Sequence, residues 1–198
     1  MAALADVVRR LVDLTVTCDV PADEVQSIVH ELQASADRLA QHVPTPPHAR
    51  YLVAPAPAGS DPATMHDSMP YDVVIGRYNP LALPLALEAT ARGARGTGRF
   101  TKPYEGGPGW VHGAVIAAAF DIVLTAANRL EGAAGPTRQL SMRFRRPTRI
   151  DEECLLEAWV DHRDGNRVVS KGRLLQGEVT TVEAEGEFAV MDPERIGR

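Results

Sequence analysis

The sequence predicts an α+β domain in which an antiparallel sheet wraps around one long central helix, preceded by a helical N-terminal extension. Three observations carry this reading. Residues 110–129 read as a helix that is apolar on nearly every side, and such a helix must be buried. The stretches after it alternate apolar and polar residues between glycine turns, the pattern of antiparallel strands. Residues 1–43 instead repeat apolar residues at helical spacing, and a proline-rich stretch separates them from the rest.

In chain order, Leu4, Val7, Val8 and Leu11 fall at i, i+3, i+4 and i+7 and predict a helix over 4–14. A second helix, over 21–42, carries Val25, Ile28, Val29, Leu32, Ala36 and Leu39 on one face. Asp19 is its candidate cap and Pro21 suits its first turn. Asp23 and Glu24 favour the positive end of its macrodipole. The pair forms a helical hairpin with one apolar stripe. Packing over the sheet edge or a dimer seam through Val25, Ile28 and Leu32 is weighed above a partner-binding arm, because a solvated apolar stripe is unusual. Residues 44–70 hold seven prolines among 27 residues. Proline removes backbone donors and breaks both regular structures, so this stretch reads as a loose connector. The expected organisation is a helical hairpin at 1–43, a linker at 44–70 and the main domain at 71–192.

Within the main domain, 72–76 reads as a short strand and Asn79-Pro80 as a turn. Strands are expected over 85–90 and 96–101, with 91–95 as a loop. The run Glu105-Gly-Gly-Pro-Gly109 is a turn before the central helix. The next strand, over 137–148, has Leu140, Met142 and Phe144 on one face and Ser141, Arg143 and Arg145 on the other. Strands over 155–161, 168–175 and 179–190 follow. Asp164-Gly165-Asn166 and Gln176-Gly177 between them are hairpin signals.

Composition narrows the function classes. A chain of 198 residues, 44% hydrophobic and 24% charged, is an ordinary globular chain with room for one domain and extra material. The net charge of −5 argues against a broad nucleic-acid surface. The two cysteines, Cys18 and Cys154, are far apart and form no zinc-type spacing, so neither a disulfide scaffold nor a metal site is expected. A reducing, cytoplasmic setting is the expectation. Asp6, Arg9, Arg10 and Asp13 interrupt any signal-peptide core. The apolar stretch 114–127 contains Asp121 and is too short to span a bilayer.

The chemistry concentrates between Tyr104 and Asp121. Asp121 sits mid-helix between Phe120 and Ile122, where losing solvation costs several kcal/mol unless the carboxylate is paired. It reads either as a general base or nucleophile, or as a structural carboxylate. His112-Gly113 opens the helix, and the first N–H groups of a helix lack internal partners. A glycine there lets a substrate carbonyl approach, which is what an oxyanion hole requires. A glycine-rich turn that merely starts a helix is the plainer alternative. On one helix Gly113 and Asp121 stand about 12 Å apart along the axis and about 80° apart around it. One subunit can hardly bring both to one atom, so shared catalysis requires a two-fold dimer.

The segment resembles the hotdog-fold acyl-CoA thioesterases of the phenylacetate-pathway type, nearest the branch containing the mammalian mitochondrial thioesterases. That family carries a glycine-rich turn, His-Gly-Gly, and an aspartate nine residues after the histidine; His112, Gly113 and Asp121 match, and Ala114 replaces the second glycine. Thr137, sixteen residues after Asp121 on a strand ending in Arg146-Pro147, fits the branch, as do Tyr104-Glu105-Gly106 and Asn79-Pro80. The resemblance covers roughly 72–190. It implies a hotdog fold and hydrolysis of an acyl-CoA to a free acid and coenzyme A. Asp121 would be base or nucleophile, the Gly113 amide the oxyanion donor, and Thr137 the residue that positions water or steadies the aspartate. His112 would orient the turn. No cofactor is implied, since coenzyme A is part of the substrate.

Arg143, Arg145, Arg146 and Arg149 cluster on one strand and its end. Guanidinium groups bind phosphates well, which makes Arg143, Arg145 and Arg146 candidate contacts for coenzyme A; a solvated face with scattered ion pairs is the alternative. Cys154, beside Leu155 and Leu156, reads as inert packing, and Trp110 either lines an acyl pocket or staples onto the helix. The expected partners are an acyl-CoA and a second copy, as homodimer or dimer of dimers, with no nucleic acid and no membrane span. A non-catalytic module of the same fold, binding acyl-CoA or a protein, is the competing function. A hotdog enoyl-CoA hydratase is disfavoured: in Gly76-Arg77-Tyr78-Asn79-Pro80 an arginine stands at 77, and no histidine follows until His112.

Overall fold

The computed structural model describes residues 1–47, 59–133 and 135–190. Helices α1 (Ala2–Thr17) and α2 (Ala22–Ala40) open the chain, followed by the single-turn α3 (Met65–Ser68). Strands β1 (Leu85–Thr90) and β2 (Gly93–Arg99) precede the central helix α4 (Gly113–Leu130). Strands β3 (Thr137–Phe144), β4 (Glu153–Asp164), β5 (Arg167–Gln176) and β6 (Val179–Ala189) complete the domain. The six strands form one antiparallel sheet in the order β1-β2-β4-β5-β6-β3. The expected α+β architecture, a sheet wrapped on one long helix, is what the chain adopts.

The hairpin signals act as expected. Asp164 pairs with Arg167 across Gly165-Asn166, and Gln176 with Val179 across Gly177-Glu178. Gly165 and Gly177 take φ of 55° and 57°, the left-handed values that two-residue hairpin turns demand. On the inner face, Ile116, Phe120, Val123, Leu124 and Ala127 of α4 are buried with Leu156, Leu174, Val182 and Phe188 of the sheet. Burying each large side chain of this kind contributes about 1.5–3 kcal/mol. Cys154 is among these buried residues, and burial pushes its thiol up to about 11, which suits an inert packing role.

Several expectations need correction. Residues 91–95 are not a loop: Thr90 pairs with Gly93, and β2 runs from there. The inner face of β2 is Ala94, Gly96 and Gly98, so it lacks the apolar alternation of a strand. Close approach explains the glycines: a Cβ on Gly96 would lie 2.8 Å from Val123 Cγ2 of α4, and one on Gly98 would run into the Pro84 carbonyl. Residues 72–76 are a turn: the Asp72 carboxylate accepts the Val74 and Ile75 N–H groups at 2.8 and 3.0 Å, and its carbonyl accepts the Gly76 N–H. Part of the expected connector is folded, because Pro62 and Met65 are buried and Met65 joins the core. Residues 48–58 of that connector, and 191–192 of the expected domain, lie outside the described residues. The N-terminal helices also differ from expectation. Pro21 caps α2, with its carbonyl taking the Glu24 and Val25 N–H groups, and Asp19 makes no side-chain cap. α2 buries none of its residues, and Val25, Ile28 and Leu32 stay 37%, 37% and 43% exposed within this chain.

The central helix departs from expectation in a way that matters for the site. It is long and apolar enough to cross a membrane, yet it is the core helix, with the sheet wrapped round it. The wrapping is incomplete. Gly113, Ala114, Ala117, Ala118, Asp121 and Thr125 form a stripe of small residues left partly or fully exposed. β3, at one end of the sheet, has an edge that pairs with no other strand among the described residues.

Candidate active site

The glycine turn before α4 is a built structure. The Glu105 carboxylate accepts the Gly109 N–H at 2.6 Å and pairs with the Lys102 ammonium. Those two contacts, Lys102 first, hold its carboxyl below the usual glutamate range. The Gly106 N–H donates to Trp110 O, and the Trp110 N–H to Gly107 O, both at 2.9 Å. Gly106 must lack a side chain, since a Cβ there would lie 2.9 Å from His112 Cα. Beyond the turn, Val111 N–H bonds Thr148 O and His112 N–H bonds Tyr104 O, each at 2.8 Å. The helix start is therefore fixed from two sides.

His112 is the N-cap of α4, and its Nδ1 accepts the Ala114 N–H at 3.0 Å. Accepting through Nδ1 places the ring proton of the neutral form on Nε2. The His112 carbonyl accepts the Val115 and Ile116 N–H groups. Among the described residues, no acceptor meets the Gly113 N–H, which leaves it as an uncommitted donor at the positive end of an 18-residue helix. His112 thus joins the turn to the first residues of α4 through its own side chain and carbonyl.

Two turns further on, Asp121 is half-exposed on the open stripe, not sealed in the core. The all-round burial expected of α4 does not hold at Asp121 within this chain. Thr137 Oγ1 donates to Asp121 Oδ1 at 2.6 Å. That contact depends on a backbone irregularity. Thr137 pairs with buried Phe188, whereas Gln139 pairs with outward Glu187, so the register shifts between them. Strict alternation would put Thr137 on the outer face with Gln139. The bulge at Arg138 turns it inward to α4, a common use of bulges near functional sites. Nothing in the sequence signals that bulge.

A cleft of about 600 Å³ lies at the head of α4, with Gly106, Gly107, Trp110, Gly113, Phe144 and Arg146 in its wall. Trp110, 48% exposed, lines this cleft. Phe144 is the neighbour that sequence reasoning missed: a Cβ on Gly113 would lie 3.2 Å from its ring. Asp121 of the same chain is not in the wall. The arginines separate. Arg146 stands exposed at the cleft. Arg145 also borders it, but its guanidinium makes two bonds to Glu183, at 2.7 and 3.0 Å. Arg143 lies elsewhere on the sheet, between Ser141 and Glu183. β3 ends at Phe144, so Arg145 and Arg146 leave the strand that holds Arg143, and the Glu183 pair occupies Arg145. Among the described residues no His, Cys, Asp or Glu group could hold a metal ion.

The sequence model of the thioesterase superfamily matches residues 108–183, from the glycine turn into β6. A crystal structure of a thioesterase superfamily protein is 32% identical, with a TM-score of 0.78 over 95% of this chain and 94% of that chain. The PaaI protein of Escherichia coli, from the phenylacetic acid degradation operon, is 19% identical with a TM-score of 0.50, over 53% of this chain and 82% of its own. A Streptococcus mutans protein bound to acetyl CoA is 15% identical with a TM-score of 0.51, over 54% of this chain and 88% of its own. These last two share the fold. No curated protein matches the chain in sequence.

Proposed function

The chain belongs to the thioesterase superfamily and has its hotdog fold, and on that footing we propose that it hydrolyses an acyl-CoA thioester to a free acid and coenzyme A. One observation carries this reading: the carboxylate of Asp121, steadied by the Thr137 hydroxyl at 2.6 Å, stands on the open stripe of a helix whose first N–H is uncommitted. The cleft at that N–H admits the thioester. Its carbonyl oxygen approaches the Gly113 N–H, where the backbone amide and the helix dipole stabilise the charge that develops in the transition state. Arg146 at the cleft supplies a guanidinium for a coenzyme A phosphate. The acetyl CoA bound to the S. mutans protein of this fold supports the substrate class.

The attacking group comes from a second copy. Asp121 and Gly113 of one chain are about 12 Å apart along α4, too far to serve one carbonyl. A two-fold axis that sets α4 against its partner brings the Gly113 N–H of one chain to the Asp121 of the other. Small residues on the open stripe let two such helices approach closely, and the free edge of β3 extends the same seam. Asp121 either takes a proton from the water that attacks the carbonyl carbon, or attacks that carbon itself and leaves a mixed anhydride for water to open. In both routes the carbon–sulfur bond breaks and the coenzyme A thiolate leaves and takes up a proton.

Asp121→Asn keeps the shape and the Thr137 contact but removes the basic oxygen. Thiol release from short, long and aromatic acyl-CoA esters should fall at least about 10²-fold, with unchanged circular dichroism and oligomeric state. Near-normal turnover in that variant would refute the assignment.

A further inference from the structure

Helix α1 lies far before the residues that carry the family signature, yet it is tied to the catalytic turn by an unbroken run of hydrogen bonds. Thr101 Oγ1 donates to Asp13 Oδ1 of α1 at 2.9 Å. The Tyr104 N–H donates to Thr101 O at 3.0 Å, closing the single 3-10 turn Lys102–Tyr104. The Tyr104 carbonyl in turn accepts the His112 N–H at 2.8 Å. His112 is the N-cap, and the next amide along is the uncommitted one of Gly113. α1 has its own anchors, so its end of the run is fixed. Arg9 donates to Arg77 O at 3.1 Å, and Ala5 is buried. Phe100, fully buried, braces Tyr104 edge to face at 5.7 Å.

Building on the thioesterase reading, we infer that α1 is a positioning element of the active site: Asp13, acting through Thr101 and Tyr104, sets where the Gly113 N–H points. An oxyanion donor works only within about 2.7–3.1 Å of the oxygen it stabilises. A displacement of about 1 Å, even from a distant change, costs up to about 10²-fold in rate. Asp13 and Thr101 are half-buried and stand outside the hydrophobic core, so their bond can be removed without opening the core. They touch no substrate, and their effect passes through the turn.

The test uses the full chain with Thr101→Val and Asp13→Ala. Each should lower kcat about three- to tenfold, short of the loss from deleting the donor, with KM within about twofold and the oligomeric state unchanged. The two changes together should cost no more than either alone, because they remove the same contact. Thr101→Ser and Asp13→Asn, which keep a hydroxyl donor and a side-chain oxygen acceptor, should restore the rate. The Gly113 amide resonance in a ¹⁵N spectrum should shift in Thr101→Val and return in Thr101→Ser. Unchanged kcat together with an unmoved resonance overturns the inference. If the unaltered chain releases no coenzyme A from any ester, the thioesterase reading fails, and the amide resonance alone still decides whether α1 sets the turn.

Discussion

Gly113 can be replaced so that one atom is lost and little else. It is the first residue of α4, a position where proline is well tolerated because the N–H there has no helical partner. His112 before it already has φ −63° and ψ 135°, the extended geometry that a residue preceding proline adopts. The nearest obstacle is the Phe144 ring, 53% exposed and free to swing aside. Gly113→Pro should therefore keep the helix and lower kcat about 10²–10³-fold, the usual cost of losing one oxyanion donor. Gly113→Ala keeps the N–H and adds only a methyl group beside Phe144, so it should lose much less than the proline variant. Steady-state kinetics with circular dichroism checks both, and an active proline variant would remove Gly113 from the mechanism. At this scale the sequence was informative wherever a residue acts through its own backbone neighbours. The open Gly113 amide follows from position at a helix start alone, whereas the His112 side-chain cap does not, since the expected helix begins at 110 and α4 begins at Gly113. The Thr137 contact was legible only through family spacing, because it depends on the Arg138 bulge. Phe144 over Gly113 and the split of Arg143, Arg145 and Arg146 depend on how strands meet, which no local pattern records.

Among the elements, those whose inner faces carry large apolar residues were readable from the chain. β1 coincides with its expected range, and β4, β5 and β6 match apart from their ends. β2 was only half legible, because its inner face carries Ala94, Gly96 and Gly98, with Gly96 close against Val123 of α4 and Gly98 against Pro84. Restoring apolar alternation there would improve the strand signal and damage the protein. Gly96→Val places branched methyl groups where a Cβ alone already meets Val123 Cγ2 at 2.8 Å. Overpacking of this kind costs about 1–3 kcal/mol. The urea midpoint should fall with an unchanged slope, and an unshifted midpoint would show that α4 is not held by this approach. The turn at 72–76 misled for a different reason. Its residues suit a strand, but the Asp72 carboxylate captures two amide donors that a neighbouring strand would otherwise need.

For the whole molecule, the order of parts was legible and their docking was not. Helical periodicity found α1 and α2, but amphipathicity says only that a face seeks cover. α1 finds it partly beside Tyr104, whereas α2 has no buried residue among the described residues. Met65, within the proline-rich stretch, packs into the core because burial follows volume and shape, not the composition of its neighbours. The incomplete wrapping of α4 is the molecular feature with the widest reach. It places an uncommitted amide and a carboxylate on the same rod, about two turns apart. In the proposed dimer, an assembly built across that rod would hold two reaction centres, each borrowing one half from either polypeptide. Two crippled proteins, Gly113→Pro and Asp121→Asn, should therefore rescue one another when unfolded and refolded as a mixture. Random pairing makes half the assemblies hybrids with one sound centre of two, so about a quarter of full turnover should return. A mixture that stays as dead as its components would mean that each polypeptide works, or fails, alone.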